Sequence, residues 1–178
     1  MRIAVGLLLV LAACSRSAPA PSPARAAESP SPRTAAPLAG IVEAHNEVRR
    51  SARPVPSPTL PPLVEAPELV AAARQWAASC SFRHAETTSG ENLYAATQPP
   101  TAQEVVASWA AEVADYEAQT GRCRGTCGHY TQIVWRATRS VGCALERCTR
   151  GGPFGNRPWW LVVCRYEPAG NWAGERPY

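Results

Sequence analysis

Apolar residues recur at helical spacing in three stretches of the chain, residues 40–52, 67–80 and 102–118. Side chains three and four positions apart share one face of a helix, so each stretch predicts an amphipathic helix packed against a core. Pro67 marks the start of the second helix. The positions on these faces are Ile41, Val42, His45 and Val48; Leu69, Val70, Ala73, Trp76, Ala77 and Cys80; and Val105, Val106, Trp109, Val113 and Tyr116.

A β-hairpin is predicted farther along the chain. Residues 141–145 alternate like a strand, residues 159–166 read as a second strand, and Gly-Gly-Pro at 151–153 supplies a turn between them. Folding this hairpin about residues 153 and 154 places Cys143 opposite Cys164, where the Cα atoms can approach the roughly 5.5 Å that a disulfide needs. Local propensity alone also predicts a strand at residues 130–135.

Glu112 interrupts the apolar face of the third predicted helix. It lies three residues after Trp109 and four before Tyr116, so its carboxylate shares their face. A buried carboxylate costs free energy unless something pairs with it. We therefore expect a partner for Glu112; the alternative is a position at the edge of the stripe, from which its carboxylate reaches water.

The first residues have the pattern of an export signal. Met1 and Arg2 precede an apolar run over residues 3–13, which is too short to span a bilayer. The run ends in Leu-Ala-Ala before Cys14, which resembles a bacterial lipoprotein signal peptide of residues 1–13 with Cys14 acylated. Several acyl chains on one residue would anchor the protein stably in a membrane. The alternative is an ordinary cleavable signal with a chance cysteine near its end.

Residues 14–39 are predicted to form a linker, and residues 40–178 a single domain. The linker is rich in proline, alanine and serine and lacks apolar periodicity. At about 3.1 Å per residue, a proline-rich spacer of this length could reach roughly 80 Å. The alternative is a disordered leader with no spacing role. The remaining residues are enough for one hydrophobic core and too few for two comfortable domains.

Composition excludes several classes of function. The formal net charge is +4, one less without Arg2, which is too weak to indicate nucleic-acid binding. The chain contains no lysine, which excludes Schiff-base chemistry and a phosphate-binding loop with its lysine. Asp115 is the only aspartate, so an EF-hand is absent and a Ser-His-Asp triad has one candidate acid.

Six cysteines follow Cys14, and their even number suggests disulfides in an exported protein. They are Cys80, Cys123, Cys127, Cys143, Cys148 and Cys164. Beyond the pair placed by the hairpin, Cys123 and Cys127 could close a short loop, which leaves Cys80 for Cys148. A zinc knuckle is the competing use of such cysteines.

Residues 38–178 resemble the CAP superfamily of cysteine-rich secretory, antigen 5 and pathogenesis-related proteins, most closely its plant pathogenesis-related branch. The resemblance rests on Gly-His-Tyr-Thr-Gln at 128–132, Cys-Arg-Tyr-Glu-Pro-Ala-Gly-Asn-Trp at 164–172, Gly-Glu-Arg-Pro-Tyr at 174–178 and the six cysteines. It implies an α+β fold, a three-layer α-β-α sandwich stapled by disulfides, with a short helix at 130–135. The implied pairs are Cys143 with Cys164, Cys80 with Cys148 and Cys123 with Cys127.

The resemblance also implies a cleft lined by two histidines and two glutamates, His84, Glu91, Glu112 and His129. Two imidazoles and one or two carboxylates can bind a divalent ion such as zinc, while the remaining acid orients a histidine or polarises a bound water. Such an ion would be weakly held because the site lacks the four strong ligands of structural zinc. Taken singly, His129 could be a helix-start residue and His84 a surface histidine.

Three further positions bear on this cleft. Ala85 follows His84 where many relatives have serine, so a hydroxyl near the site is missing. Residues 98–101 predict a loop that shapes the cleft rim. His45 belongs to neither histidine pair, and we interpret it as a packing or hydrogen-bonding residue of the first helix.

Three functions are compatible with these residues. The favoured one is an exported, lipid-anchored module that binds a lipid, a sterol-like molecule or a peptide, since the chain contains neither Gly-x-Ser-x-Gly nor His-Glu-x-x-His. A metal-dependent hydrolase with Glu112 or Glu91 as general base is the second. An extracellular structural or interaction module is the third. The expected location is outside the cytoplasm, either membrane-anchored or secreted.

Overall fold

The computed structural model describes residues 38–178. The predicted signal peptide, the predicted acylation site Cys14 and the predicted linker up to residue 37 lie outside the described residues. Across the part that is described, every helix is too short or too polar to cross a membrane.

Within residues 38–178, four α-helices pack on the two faces of the sheet. They are α1 (Ile41–Ser51), α2 (Pro67–Ala77), α3 (Ala102–Ala110) and α4 (Gly128–Ile133), and a 3-10 helix (Ala111–Asp115) directly follows α3. The first two agree with the predicted helices, although α2 ends before Cys80, whose φ of 51° is not helical. Helix α4 confirms the helix that the resemblance implied at 130–135, where local propensity predicted a strand.

The main sheet contains four strands, β1 (Val64–Glu65), β2 (Gly90–Ala96), β5 (Ser140–Cys148) and β6 (Trp159–Glu167). A small second sheet contains β3 (Tyr116–Glu117) and β4 (Arg122–Cys123). The main sheet has the order β1-β5-β6-β2. Only the β1–β5 pair is parallel. The predicted hairpin is therefore the centre of the sheet, and β2 is an edge strand.

The two faces of the sheet bury separate apolar clusters, because neighbouring strand residues point to opposite faces. Leu161 and Val163 of β6 pack with Ala73 and Ala77 of α2 on one face. On the other face Val162 and Tyr166 belong to a cluster with side chains of α1, α3 and α4. Helix α2, the sheet and the other three helices make three layers, which confirms the expected α+β fold and α-β-α sandwich.

Helix α2 lies directly on β5 at Gly142. A Cβ at this position would overlap the backbone of Leu69 and Val70. The absence of a side chain at Gly142 therefore lets the helix and the sheet approach closely.

The third predicted helix is shorter than expected. Helix α3 ends at Ala110, and the chain tightens into the 3-10 helix, a common ending for an α-helix. Val113, predicted for the buried face, is 44% exposed. The reason is tertiary, because the carboxylate of Glu112 binds backbone N–H groups at the start of α4. A continuous helix over 102–118 is thus wrong for its last part.

Three disulfides join the six cysteines of the domain. Cys143 and Cys164 face each other across β5 and β6 with Cα atoms 4.1 Å apart, as the hairpin geometry predicted. The other two bridges are Cys80–Cys148 and Cys123–Cys127. These are the pairs that the resemblance implied. All six sulfurs are consumed, which removes the zinc-knuckle alternative.

Arg49 of α1 is buried and ties the helix to two distant segments. Its guanidinium donates to the backbone carbonyls of Pro61 at 2.7 Å, Ile133 at 2.7 Å and Trp135 at 2.9 Å. Burial, with the nearby charges of Arg139 and Arg136, lowers its pKa to about 10, so it remains charged at neutral pH. We call this set of contacts the Arg49 clamp.

Candidate functional site

His84 and Glu91 form the first of two histidine–glutamate pairs. His84 lies in the loop after α2 and Glu91 is the second residue of β2. The Nδ1 atom of His84 is 2.8 Å from Oε1 of Glu91, which also accepts the backbone N–H of Ala85 at 3.1 Å. The carboxylate is buried whereas the imidazole is 66% exposed. Glu91 therefore orients an imidazole whose other nitrogen faces outward.

His129 and Glu112 form the second pair. The Nδ1 atom of His129 is 2.6 Å from Oε1 of Glu112, and Oε2 accepts the backbone N–H groups of His129 at 2.9 Å and Tyr130 at 3.1 Å. Glu112 thus caps the first turn of α4, where a negative charge is favoured by the helix dipole. The indole of Trp109 stacks on the imidazole with ring centres 5.9 Å apart. Glu112 is therefore paired rather than reaching toward water.

The two pairs lie on either side of the edge strand β2. Glu91 shares one face of the sheet with Arg165, and its neighbour Asn92 points to the other face, where its amide donates to the His129 carbonyl at 3.1 Å. Because no strand among the described residues pairs with the outer edge of β2, side chains from both faces border that edge. Within residues 38–178, however, no three His, Cys, Asp or Glu side chains group closely enough to hold a metal ion. The structure pairs His84 with Glu91 and His129 with Glu112.

A cavity of about 570 Å³ opens beside the first pair. Ala72 and Trp76 of α2 form an apolar wall, and the remaining lining is mostly polar. It includes Gln75, Arg83, His84, Glu86, Thr87 and Arg165. We call it the His84 cavity. Glu112 and His129 do not line it.

Sequence comparison identifies the family to which this arrangement belongs. The family described as "CAP: Cysteine-rich secretory protein family" matches residues 42–166, which include all four histidine and glutamate positions. The chain belongs to this family.

Individual CAP relatives agree with this assignment. Pathogenesis-related leaf protein 4 of Solanum lycopersicum is 41% identical over 104 residues, which span 57% of this chain and 60% of that protein, less than two thirds of its length. The pathogenesis-related protein PR-1 type of Sambucus nigra is 37% identical over 145 residues, 77% of this chain and 79% of the relative. The chain is thus similar to plant pathogenesis-related proteins.

Solved CAP structures share the fold. The venom allergen-like protein 4 of Schistosoma mansoni superposes with a TM-score of 0.65 at 25% identity, covering 80% of this chain and 93% of the other. A crystal structure of NaASP2 with Zn²⁺ superposes with a TM-score of 0.62 at 26% identity, covering 78% and 82%. Family membership and three disulfides place this CAP domain outside the reducing cytoplasm.

Arg165 is a site residue that the sequence reasoning missed. Its Nη2 atom is 3.0 Å from Oε2 of Glu91, and both side chains are about 95% buried. Within the described residues, Nε and Nη1 of Arg165 and Oε2 of Glu91 make no hydrogen bond of good geometry. The signal was present in the sequence, because Arg165 is the one charged residue in the apolar run of 159–166. Arg165 thus forms a buried ion pair with the carboxylate that orients His84.

His45 is separate from both pairs, as interpreted from the sequence. Its Nδ1–H donates to the Ile41 carbonyl at 2.7 Å, and Nε2 accepts the Tyr166 hydroxyl at 2.8 Å in the neutral tautomer that these partners require. Complete burial lowers the pKa of His45 to about 4, and the charge of Arg49 acts in the same direction, against the hydrogen bond to Ile41. His45 is a structural residue of the core.

The loop at 98–101 does not border the histidine–glutamate pairs. Gln98 and Pro99 instead line a different cavity that contains none of the four residues. The reason is the length of β2, which separates Glu91 from Thr97 by six positions, about 20 Å in an extended strand. The expectation that this loop shapes the cleft rim is wrong.

Proposed function

We propose that this CAP domain is a ligand-binding module and that a peptide segment enters the His84 cavity. The single observation that carries the proposal is the mixed lining of the cavity. Gln75, Arg83 and Thr87 offer polar groups beside the apolar wall of Trp76. A peptide presents one donor and one acceptor per residue, so it can satisfy such a lining. The volume lies in the range of about 300–1,000 Å³ that is usual for ligand pockets.

Among the ligands expected from the sequence, this lining favours a peptide over a lipid or sterol-like molecule. An acyl chain or sterol ring would bury polar groups of the protein without hydrogen-bond partners, at a cost of about 1–3 kcal/mol for each group. Lipid and sterol-like ligands are therefore the competing outcomes of the test.

The test is selection from a random heptapeptide display library on the purified full-length protein, followed by anisotropy titration of the enriched peptides. The Q75A/R83A variant removes two exposed groups of the cavity lining and should weaken binding at least tenfold. The Q119A/R122A variant removes the same two residue types from an exposed site elsewhere and should bind normally. If both variants behave alike, or if only apolar molecules are recovered by solvent extraction, the peptide proposal is wrong.

A second proposal is that His84 and His129 bind a divalent ion such as zinc. Each imidazole has its Nδ1 held by a carboxylate, which fixes the orientation of the ring and leaves Nε2 as a metal ligand. The donor chemistry therefore fits zinc, and the related NaASP2 was crystallised with Zn²⁺. With two nitrogen donors the ion would be weakly held and would complete its shell with water or ligand atoms. When bound, it would supply a positive charge that attracts anionic groups.

Zinc titration by calorimetry at pH 7.5 tests this second proposal. The H84A/H129A variant should lose binding, and E91Q or E112Q should weaken it by about 10- to 100-fold, because the orienting carboxylate is altered. The E43Q/E68Q variant removes two acids far from the site in sequence and serves as the charge control. Unchanged zinc affinity in H84A/H129A would remove the site as proposed.

The metal-dependent hydrolase is less well supported than binding. Both oxygens of Glu112 already accept hydrogen bonds, and Oε1 of Glu91 accepts two. Glu112 would have to give up a partner in order to take a proton from water, and the remaining oxygen of Glu91, Oε2, is buried 3.0 Å from the Arg165 cation. The three disulfides also leave no free thiol within residues 38–178 to act as a nucleophile.

We further propose that acylated Cys14 anchors the domain to a membrane, with residues 14–39 as the linker. The support is the Leu-Ala-Ala-Cys run that ends the apolar segment of residues 3–13. Replacement Cys14→Ser should release the protein from the membrane pellet into the soluble fraction. Persistence of the variant in the pellet would contradict acylation.

A further inference from the structure

A second cavity, of about 510 Å³, lies at the far end of β2 from the histidine–glutamate pairs. Its lining includes Thr97, Gln98, Arg147, Arg157 and Trp160, and we call it the arginine cavity. It is open to solvent through the exposed side chains of both arginines. Because none of the four histidine and glutamate residues lines it, its function is independent of the one proposed above.

The arginine cavity carries positive charge that no neighbouring acid neutralises. Within the described part of the chain the side chain of Arg147 makes neither a hydrogen bond nor an ion pair, and that of Arg157 makes one long contact, from Nε to the Phe154 carbonyl at 3.5 Å. Residues 147–166 contain four arginines and no acid, and residues 92–103 contain no charged side chain. Glu146 precedes Arg147 but points to the other face of β5. The cavity therefore attracts anions.

Trp160 supplies an apolar surface beside these charges. It lies directly opposite Arg147 on β5 and Ala96 on β2, so its indole shares a sheet face with the Arg147 side chain. The indole is half-buried, and its N–H, unlike that of the other tryptophans that donate to backbone carbonyls, makes no hydrogen bond within residues 38–178. A half-buried ring is held in place, so it can stack on a ligand at little entropic cost.

We propose that the arginine cavity binds an anionic sugar, one that carries a carboxylate, sulfate or phosphate group. A sugar ring has an apolar face that can stack on Trp160 and hydroxyls that can bond to Gln98, Thr97 and the free indole N–H. Its anionic group pairs with Arg147 or Arg157, since guanidinium groups suit planar and tetrahedral oxyanions. The concave shape favours a ligand that enters the cavity over a flat membrane surface, for which a tryptophan would have to project.

The experiment is calorimetric titration of the full-length protein with trigalacturonate, a carboxylated trisaccharide, and with a sulfated heparin tetrasaccharide. Maltotriose is the uncharged probe. We expect at least one anionic sugar to bind, more weakly as salt rises, and maltotriose to bind at least tenfold more weakly. R147Q/R157Q should reduce the affinity at least tenfold, and W160L should reduce it as well. R74Q/R122Q, which removes the same charge at two exposed positions elsewhere, should not.

Four results would overturn the proposal. The first is that neither anionic sugar binds, and the second is that maltotriose binds as tightly as they do. The third is that R74Q/R122Q loses as much affinity as R147Q/R157Q. The fourth is that no sugar binds, while phosphatidylglycerol vesicles bind the wild type and do not bind R147Q/R157Q. The H84A/H129A variant separates this proposal from the function of the His84 cavity, because it should retain sugar binding.

Discussion

Acidification should destabilise the domain through His45. This imidazole is enclosed between α1 and β6, where it bonds to the Ile41 carbonyl and the Tyr166 hydroxyl. Burial disfavours the charged ring, and the Tyr166 contact uses the unprotonated Nε2, whereas the bond to the Ile41 carbonyl opposes the shift without cancelling it. The pKa of His45 consequently falls from 6.5 to about 4 in the folded protein.

The sign and size of the effect follow from this shift in pKa. Between pH 6.5 and pH 4 the unfolded chain binds a proton at His45 that the folded chain does not. The stability that the neutral ring contributes is fully present above pH 6.5 and is lost as pH falls toward 4. At about 1.4 kcal/mol per pH unit, the full loss is about 3 kcal/mol.

Guanidinium unfolding at pH 7 and pH 4 measures this loss, and substitution isolates the contribution of His45. The H45Q variant should be less stable than the wild type at pH 7, but its further loss on acidification should be smaller by about 3 kcal/mol. V105A weakens the same core without removing a titrating group, so it should keep the full pH dependence. Equal losses in the wild type and H45Q would refute the reasoning.

Three further predictions concern stability and are measured by the same unfolding assay. Arg165→Met should lower the free energy of unfolding by about 3–5 kcal/mol, because it leaves the buried carboxylate of Glu91 without its cation. Adding Glu91→Gln to the same chain should restore part of the loss. If Arg165→Met causes no loss, the ion pair does not form. Gly142→Ala should prevent folding or lower the free energy of unfolding by several kcal/mol, because the added Cβ overlaps the backbone of α2 and overpacks the core. An unchanged free energy of unfolding would refute that close approach. Thr101→Ala should lower the free energy of unfolding by about 1 kcal/mol, because the Thr101 hydroxyl caps α3 and accepts the N–H of its third residue. Thr97→Ala, at an exposed position without this role, should change the free energy of unfolding little. Equal losses in the two variants would exclude the cap.

The spacing of apolar residues was sufficient to predict a helix or a strand wherever the segment packs one face against the core. Helices α1 and α2 follow their apolar spacing, and the β5–β6 hairpin follows its alternation and its turn residues. The register that joins Cys143 to Cys164 was also predictable, because in a hairpin it depends only on the centre of the turn. In these segments local and tertiary preferences agree.

Periodicity failed where a distant contact decides the local structure. Residues 130–135 have strand propensity, yet Tyr130 and Ile133 lie within helix α4, whose first turn is capped by Glu112, 17 positions before His129. The same contact ends α3 early and leaves Val113 exposed. Neither outcome is encoded in a short window of sequence, because both depend on two segments meeting.

The candidate site was found through family resemblance rather than through spacing. Seven positions separate His84 from Glu91, and 17 separate Glu112 from His129, and neither spacing corresponds to a helix or strand repeat. The resemblance named the four residues but not their pairing, nor the part of Arg165. That arginine could have been suspected, because a cation in an apolar strand buried on both faces requires a partner.

The Arg49 clamp affects how freely the rest of this sequence can change. Every acceptor in it is a main-chain carbonyl, so the hydrogen bonds themselves do not require a particular side chain at positions 61, 133 or 135. The only side chain that these hydrogen bonds require is therefore that of Arg49. A lysine there could not serve, because an ammonium group lacks the planar spread of donors that reaches two segments at once. Mutational scanning should find position 49 intolerant even of lysine, whereas the buried positions 133 and 135 should tolerate other large apolar side chains.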